Sequence, residues 1–412
     1  MDEREGGDGT TAADGGAGAR RGLVHWRRGR VHRVVRGWPG AREVEVDLDE
    51  PLPRLGDPAP TPDPADGAAG RDGAADRVRA VALVDVVGAP EPGDAVLLNV
   101  SALARGLGTG GSAGVVALPD RLPADPPPAP GHLVKARYTP LQAMVLGVDE
   151  QESSHHAALV DADDLGGLPV VVADLHSALP AVLAGWLDGR AAAGLGPGRC
   201  VYVMTDGGSL PAALSRTAAG LRAAGWLDAV VSTGQSFGGD VEAVTLHTGL
   251  LAARHVLGAD VVVVAQGPGN LGTGTRWGFS GVACGEAVNA VAALGGRPVA
   301  SLRVSGADPR ERHRGVSHHS LTAYGRVALA PADVVVPRLG GALGERVREQ
   351  ARALGPGGGG RHRVVEVGVD GLDAALAACP VGLSTMGRGP DVDPAPFLAA
   401  AAAGREAASP TA

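Results

Sequence analysis

From about residue 133 onward, the apolar positions of the chain come in short unbroken blocks rather than in alternation. The blocks are "LPVVVADL", "CVYVMTD", "DAVVSTG", "DVVVVAQG", "RPVASLRVS", "DVVVPRL" and "RHRVVEV". Continuous runs of this length suit parallel strands covered on both faces, where neither side of the pleat meets water. Between them lie stretches with helical spacing, such as "SLPAALSRTAAGLRAAGWL", "DVEAVTLHTGLLAARHVLG" and "CGEAVNAVAALGG". "GALGERVREQARALGPGGGG" adds a further helix and a turn. The βαβα series predicts an α/β fold with a doubly wound, mostly parallel sheet over residues 133–404.

Upstream the pattern changes. "GRVHRVVRG", "REVEVDL", "VRAVALVDVV" and "GDAVLLNV" alternate partially and are separated by Gly and Pro. They predict a small N-terminal β-barrel-like domain over residues 22–118. Its middle, residues 50–77, carries too little apolar surface to order itself and reads as a disordered insertion. "LPDRLPADPPPAPG", within residues 119–132, reads as a semi-rigid Pro-rich linker. Residues 1–21 and 405–412 read as tails.

Composition narrows the function classes. Aromatics are 3% of the 412 residues, which argues against base-stacking platforms, and a net charge of −8 argues against a phosphate-backbone binder. No nucleic-acid partner is expected. Of 37 basic residues only Lys135 is a lysine. Cys200, Cys284 and Cys379 form no CxxC, which fits a reduced compartment. No stretch approaches 18 uninterrupted apolar residues, so the expectation is a cytoplasmic protein with no membrane partner.

Open parallel sheets bind ligands beyond the carboxyl ends of their strands. The residues there are Asp174, His176 and Ser177, then residues 205–209, 234–240, 267–275 and 305–308. Asp206 is the candidate general acid or base, with His176 or His318 as its partner. Asp174, Asp240, Asp308 and His313 are further site candidates. Ser209 and Asp240 also read as ordinary helix N-caps.

"GPGNLGTGT" matches GxGxxG after a strand, but the helix starts too late for a dinucleotide fingerprint. The Walker A pattern fails because Thr273 and Gly274 stand where Lys and Ser or Thr belong. What remains is a backbone nest for an anion, formed by Gly267, Gly269, Asn270, Gly272, Thr273, Gly274 and Thr275. The near copy "GLGTGG", Gly106 to Gly111, reads as a hairpin turn.

"GQSFG" has the form of a nucleophile elbow, which would enlist Ser236, Asp308 and either His313 or His318 in a serine hydrolase. A chain this rich in glycine and serine also produces that string by chance. Histidine recurs in "SSHH" and "VSHH", where adjacent side chains diverge, so at most one of each pair is expected in a given site. A metal held by His176, Asp206, Asp240 or His318 is conceivable. HExxH and zinc-type Cys/His spacings are absent, so no residue set is assigned to a metal. The segment "DPRERHRGVSHHS" fits phosphate contact or a solvated charged face. Lys135 is expected to enter an inter-domain cleft and touch the ligand, because an ammonium is compact where a guanidinium is not.

Taken together, "PGHLVKARYTPLQ", "MTDGGSLPAALS", "GQSFGGDVEAV", "GPGNLGTGT", "DPRERHRGVSHHSLTA" and "TMGRGPDVDPAPFLAAAAAG" resemble an actinobacterial family, domain of unknown function 3866. The resemblance spans residues 23–404 and implies no activity or catalytic residues. A fainter likeness joins "GTRWGFSGVACGEAVNAVAALGGRPV" to the substrate-binding subunits of glycine and sarcosine reductases, and implies at most a shared sheet architecture.

Two functions remain open on the sequence. One is an enzyme acting on a small anionic or phosphorylated metabolite at the carboxyl edge of the sheet. The other is a non-catalytic sensor of such a ligand, signalling through the β domain. The residues name no cofactor and no oligomeric state.

Overall fold

The computed structural model describes residues 22–53, 77–107 and 111–409. The expected tail 1–21, most of the expected insertion 50–77 and the centre of the "GLGTGG" turn lie outside the described residues.

The N-terminal unit is a closed five-stranded barrel in the order β1-β2-β3-β5-β4. Its strands are β1 (Trp26–Trp38), β2 (Ala41–Leu48), β3 (Arg77–Leu83), β4 (Ala95–Asn99) and β5 (Ala113–Ala117). Alternating aliphatic residues fill the interior, among them Val44, Val46, Ala80, Ala82, Val96 and Leu98. Charged partners such as Arg33 and Glu45 pair on the outer face. Residues 119–132 contain neither helix nor strand, and Arg121 ties the start of this segment to Asp94 of the barrel.

A two-stranded ribbon, β6 (Leu133–Lys135) with β7 (Ala143–Val145), precedes the main sheet. The sheet has eight parallel strands in the order β11-β10-β9-β12-β8-β13-β16-β17. They are β8 (Pro169–Val172), β9 (Cys200–Thr205), β10 (Ala229–Ser232), β11 (Val241–Glu242), β12 (Val261–Gln266), β13 (Arg297–Ser301), β16 (Asp333–Pro337) and β17 (Arg363–Val367). A small antiparallel hairpin, β14 (Val304–Ser305) with β15 (Gly315–Val316), stands beyond the end of β13.

Successive strand residues supply opposite cores, as the twofold side-chain period demands. Val170, Val172, Val201, Val203, Val262 and Val264 face one core, while Val171, Tyr202, Met204, Val261 and Val263 face the other. Helices Leu246–His255, Ala283–Ala293 and Gly341–Arg352 cover the first face. Helices Leu179–Ala192, Arg216–Ala223, Leu372–Ala377 and Ala395–Ala407 cover the second. Helices 179–192 and 395–407 touch backbone to backbone: a Cβ on Gly185 would strike the carbonyl of Ala401. The chain therefore stays folded through Ala407, where Glu406 pairs with Arg297, rather than loosening at residue 405.

Seven of the eight strands are the apolar blocks of the sequence. The eighth, β11, lies in a segment expected to be helical. Its helix begins only at Leu246, capped by Thr245, because the chain first turns back to pair Val241 with Val231. Likewise Ser215, not Ser209, caps the helix after β9. Among the described residues no helix is long and apolar enough to cross a membrane.

Candidate functional site

The strand order sets the site. The chain leaves β8 toward the second face and β13 toward the first, so a crevice opens at the carboxyl ends of these two neighbours. Asp174 follows β8, and Arg303 follows β13. Arg303 Nη1 lies 4.0 Å from Asp174 Oδ2, and both side chains are buried. Asp174 Oδ2 accepts no hydrogen bond. Burial pushes the Asp174 carboxyl up, and the Arg303 charge only partly opposes this. A small cavity of about 30 Å³ beside this pair, walled also by Ser301, Thr385 and Phe397, has room for about two waters.

The β14–β15 hairpin carries the chemistry. Between its strands the turn Glu311–His313 brings His313 back toward the sheet. Ser317 then caps a short helix, His318–Thr322, by accepting the His319 N–H. The Arg303 backbone is locked to this helix start: Ser317 N–H donates to Arg303 O at 2.8 Å, and Arg303 N–H donates to Ser320 Oγ at 2.9 Å. The rings of His313, His318 and His319 consequently cluster, with centroids 4.3–5.0 Å apart. Both members of the "VSHH" pair join one site, contrary to the expectation of divergence. They occupy the open first turn of a helix, where neighbouring side chains can converge beyond the helix end.

Electrostatics keep these imidazoles neutral. Burial, and then the Arg303 and Arg310 charges, lower His313 to about 2. Burial followed by Arg303 lowers His319 to about 3. Burial, Arg312, Arg303, Arg310 and Arg276 all lower His318. Phe279 stacks flat on His319 at 3.8 Å. Arg303 Nη1 is 3.5 Å from His319 Nδ1, and His313 Nδ1 is 2.8 Å from Ser317 Oγ. His318 Nε2 is buried without a hydrogen-bond partner.

Asp308 is an anchor rather than a reactive group. Arg310 grips it with two side-chain bonds and its own N–H, each 3.0 Å, and Arg388 adds a fourth at 3.1 Å. Burial raises its pKa, but the Arg310 hydrogen bonds outweigh this and hold it well below the usual carboxylate range.

The glycine loop borders the cluster. Residues 271–280 fold as a small hairpin in which Leu271 N–H donates to Ser280 Oγ and Thr273 N–H donates to Gly278 O. Asn270 Oδ1 is occupied by Gln266 and Ser280. The Leu271 and Thr273 N–H groups and the Asn270 amide oxygen are thus spent internally, while the consecutive N–H groups of Gly274, Thr275, Arg276 and Trp277 make no hydrogen bond among the described residues. Gly269 and Gly274 have positive φ, whereas Gly272 does not. A Cβ on Gly274 would lie 3.7 Å from Arg312 Nη2, which puts the hairpin beside the arginine that lowers His318.

The remaining candidates lie elsewhere. His176 is spent on both ring nitrogens, with Tyr202 Oη at 3.1 Å and Ser215 Oγ at 2.8 Å, and burial lowers it to about 4. Asp206 is exposed and accepts the Gln235 N–H on the β10–β11 side. Asp240 lies at the amino end of the sheet, not the carboxyl end, because its loop returns to start β11. There it accepts the Val230 N–H and pairs with Arg222.

Ser236 is fully buried and leads to a two-residue strand, so the nucleophile-elbow context of strand, exposed serine and helix is missing. Lys135 has no exposed surface, and its Nζ donates to Ser236 O and Ala243 O at 2.9 Å, with Glu242 Oε2 at 3.4 Å. The buried ammonium faces protein groups on every side the structure describes. The compactness argument explains a lysine there, but in a structural role.

Arg303, His319, Gln266 and Phe279 escaped the sequence reading. Arg303 had a signal: a charge between the apolar residues Leu302 and Val304 at the end of the run "RPVASLRVS".

The chain belongs to a family described as "Protein of unknown function (DUF3866)", whose pattern matches residues 79–404. No curated protein and no solved structure matches the chain.

Proposed function

We propose that this family member is an enzyme acting on a small anionic metabolite, phosphorylated or carboxylated, held over the histidine cluster at the carboxyl edge of the sheet. The observation that carries the reading is His318 Nε2, buried and unpartnered in a field of four arginines. A buried polar nitrogen without a partner costs roughly 1–3 kcal/mol, a cost that a bound ligand removes. Exposed Arg276 and Arg312 meet the anion, while buried Arg303 and Asp308-bound Arg310 supply a fixed positive field. Burial and the arginine charges favour the neutral imidazoles, each of which offers one lone pair and one N–H to a ligand.

The test is thermal stabilisation by sulfate, inorganic phosphate and pyrophosphate, compared with Arg312→Ala. The parent is expected to melt several degrees higher with at least one of these, and the variant to bind it about tenfold more weakly. A parent protein indifferent to all three anions refutes the reading.

A second reading, a ligand sensor, is favoured by one contact. Trp38 Nε1 of the barrel donates to Ala213 O at 2.6 Å, and the neighbouring Ala212 N–H donates to Phe237 O. The barrel thus rests on the loop that follows β9. Anion binding with no turnover of any phosphate or carboxylate ester tried would favour the sensor over the enzyme.

A further inference from the structure

The three imidazoles of the cluster come from two different elements and each offers one nitrogen, all three within 4.8 Å of one another. We infer that His313, His318 and His319 form a three-histidine site for a borderline divalent transition-metal ion such as zinc. Zinc takes imidazole nitrogen at about 2.0–2.1 Å, which places tetrahedral ligand atoms about 3.3 Å apart, so each ring needs to move by roughly 1 Å or less. His318 has the freedom for this movement, being half-buried at a helix start.

Three details fit ligation. In the tautomer that donates Nδ1–H to Ser317 Oγ, His313 has a bare Nε2, and a polar group oriented on the far nitrogen is the usual outer support of a ligating histidine. His318 Nε2 is enclosed with no donor or acceptor to satisfy it. The contact between Arg303 and His319 is 3.5 Å, longer than a full hydrogen bond, so little is lost when that nitrogen changes partner. Three neutral ligands leave the ion its full charge and an open position for water or an anion. Arg312 and Arg276 face that charge. They attract the anion and repel the cation, so removing Arg312 changes the two affinities in opposite directions.

The inference deepens the anion reading, because it places a Lewis acid in the same site, but it is tested separately. The full chain, stripped with chelator, is titrated with cobalt(II) in a buffer free of oxyanions, and the visible ligand-field bands are followed. One cobalt per chain is expected, displaced by one zinc. His318→Ala is expected to bind at least a hundredfold more weakly and Ser317→Ala about tenfold more weakly. Arg312→Ala is expected to bind cobalt severalfold more tightly while binding sulfate more weakly.

The parent spectrum decides even if a variant fails to fold: no bands from the folded parent overturns the site, as does unchanged binding by folded His318→Ala. Sulfate stabilisation measured in chelator separates the two ideas. If it persists without cobalt binding, only the metal site fails. If cobalt binds and sulfate does nothing, only the anion reading fails.

Discussion

Two regions beyond the strands of the sheet gather polar residues, and they differ in how their charges are balanced. Around β10 and β11, Lys135 lies against Ser236 and Glu242, Asp240 closes the other end of β10, and each charge there faces an opposite one within the protein, although Glu242 Oε2 and Ser236 Oγ accept no hydrogen bond. Lys135 gives its protons to two carbonyls and faces Glu242, and Asp240 holds Arg222 and a strand N–H. Around β13, β14 and β15, three histidines share a cluster with arginines that outnumber the nearby carboxylates, and one ring nitrogen stays unanswered. The first region spends its chemistry on holding the edge strand and the ribbon together. The second retains an unpartnered imidazole nitrogen under an excess of arginine charge, and that unbalanced charge is what sets it apart.

The sharpest break of this comparison is Lys135→Met. It leaves Glu242 buried without its cation and is expected to cost about 3–5 kcal/mol in urea unfolding, with anion binding unchanged in the folded fraction. Lost sulfate binding at an unchanged melting temperature would return Lys135 to the ligand site.

The next largest effect is a pH slope. Burial raises Glu242 to about 7, with Lys135 opposing. A raised carboxyl favours the protonated folded state, so its stabilising contribution is complete below the unfolded value near 4.5 and is lost as pH climbs through about 7. Desolvation lowers Lys135, which gives the opposite slope, but only on the alkaline side. The expected loss between these two pH values is on the order of 3 kcal/mol, and Glu242→Gln should flatten it when melting temperature is followed against pH.

A smaller effect with the opposite sign is expected at the histidines. His318→Leu removes a buried unpartnered nitrogen and should raise unfolding free energy by about 1 kcal/mol, as substitutions at functional positions often do. A loss of that size instead would make His318 structural. The smallest effect expected is at Asp206→Asn. This carboxylate is exposed and an amide oxygen still accepts the Gln235 N–H, so stability should stay within about 0.5 kcal/mol and sulfate affinity within about twofold. A large loss of affinity would move the site toward β9.

The architecture was legible because burial on both faces leaves a direct trace: a strand such as "DVVVVAQG" has no polar position for water to claim. The barrel was legible from weaker alternation. Of the candidate site, Asp174 and the glycine loop followed from counting strand ends along the chain, and His313 and His318 from the histidine-rich segment "DPRERHRGVSHHS". Asp240 could not be placed, because the chain turned back to build β11 before its helix began, which carried it to the opposite end of the sheet.

The sequence by itself determined the parallel sheet, its two apolar faces and the list of polar residues at its rim, since these follow from periodicities of two and of 3.6 residues. Only the tertiary structure decided which of those residues are satisfied. His176 and His318 look alike in the sequence, yet one finds Tyr202 and Ser215 and the other finds no partner. The reason is physical: hydrogen-bond partners and neighbouring charges are supplied by segments far apart in the chain, and their distances are set only when the strands have been ordered.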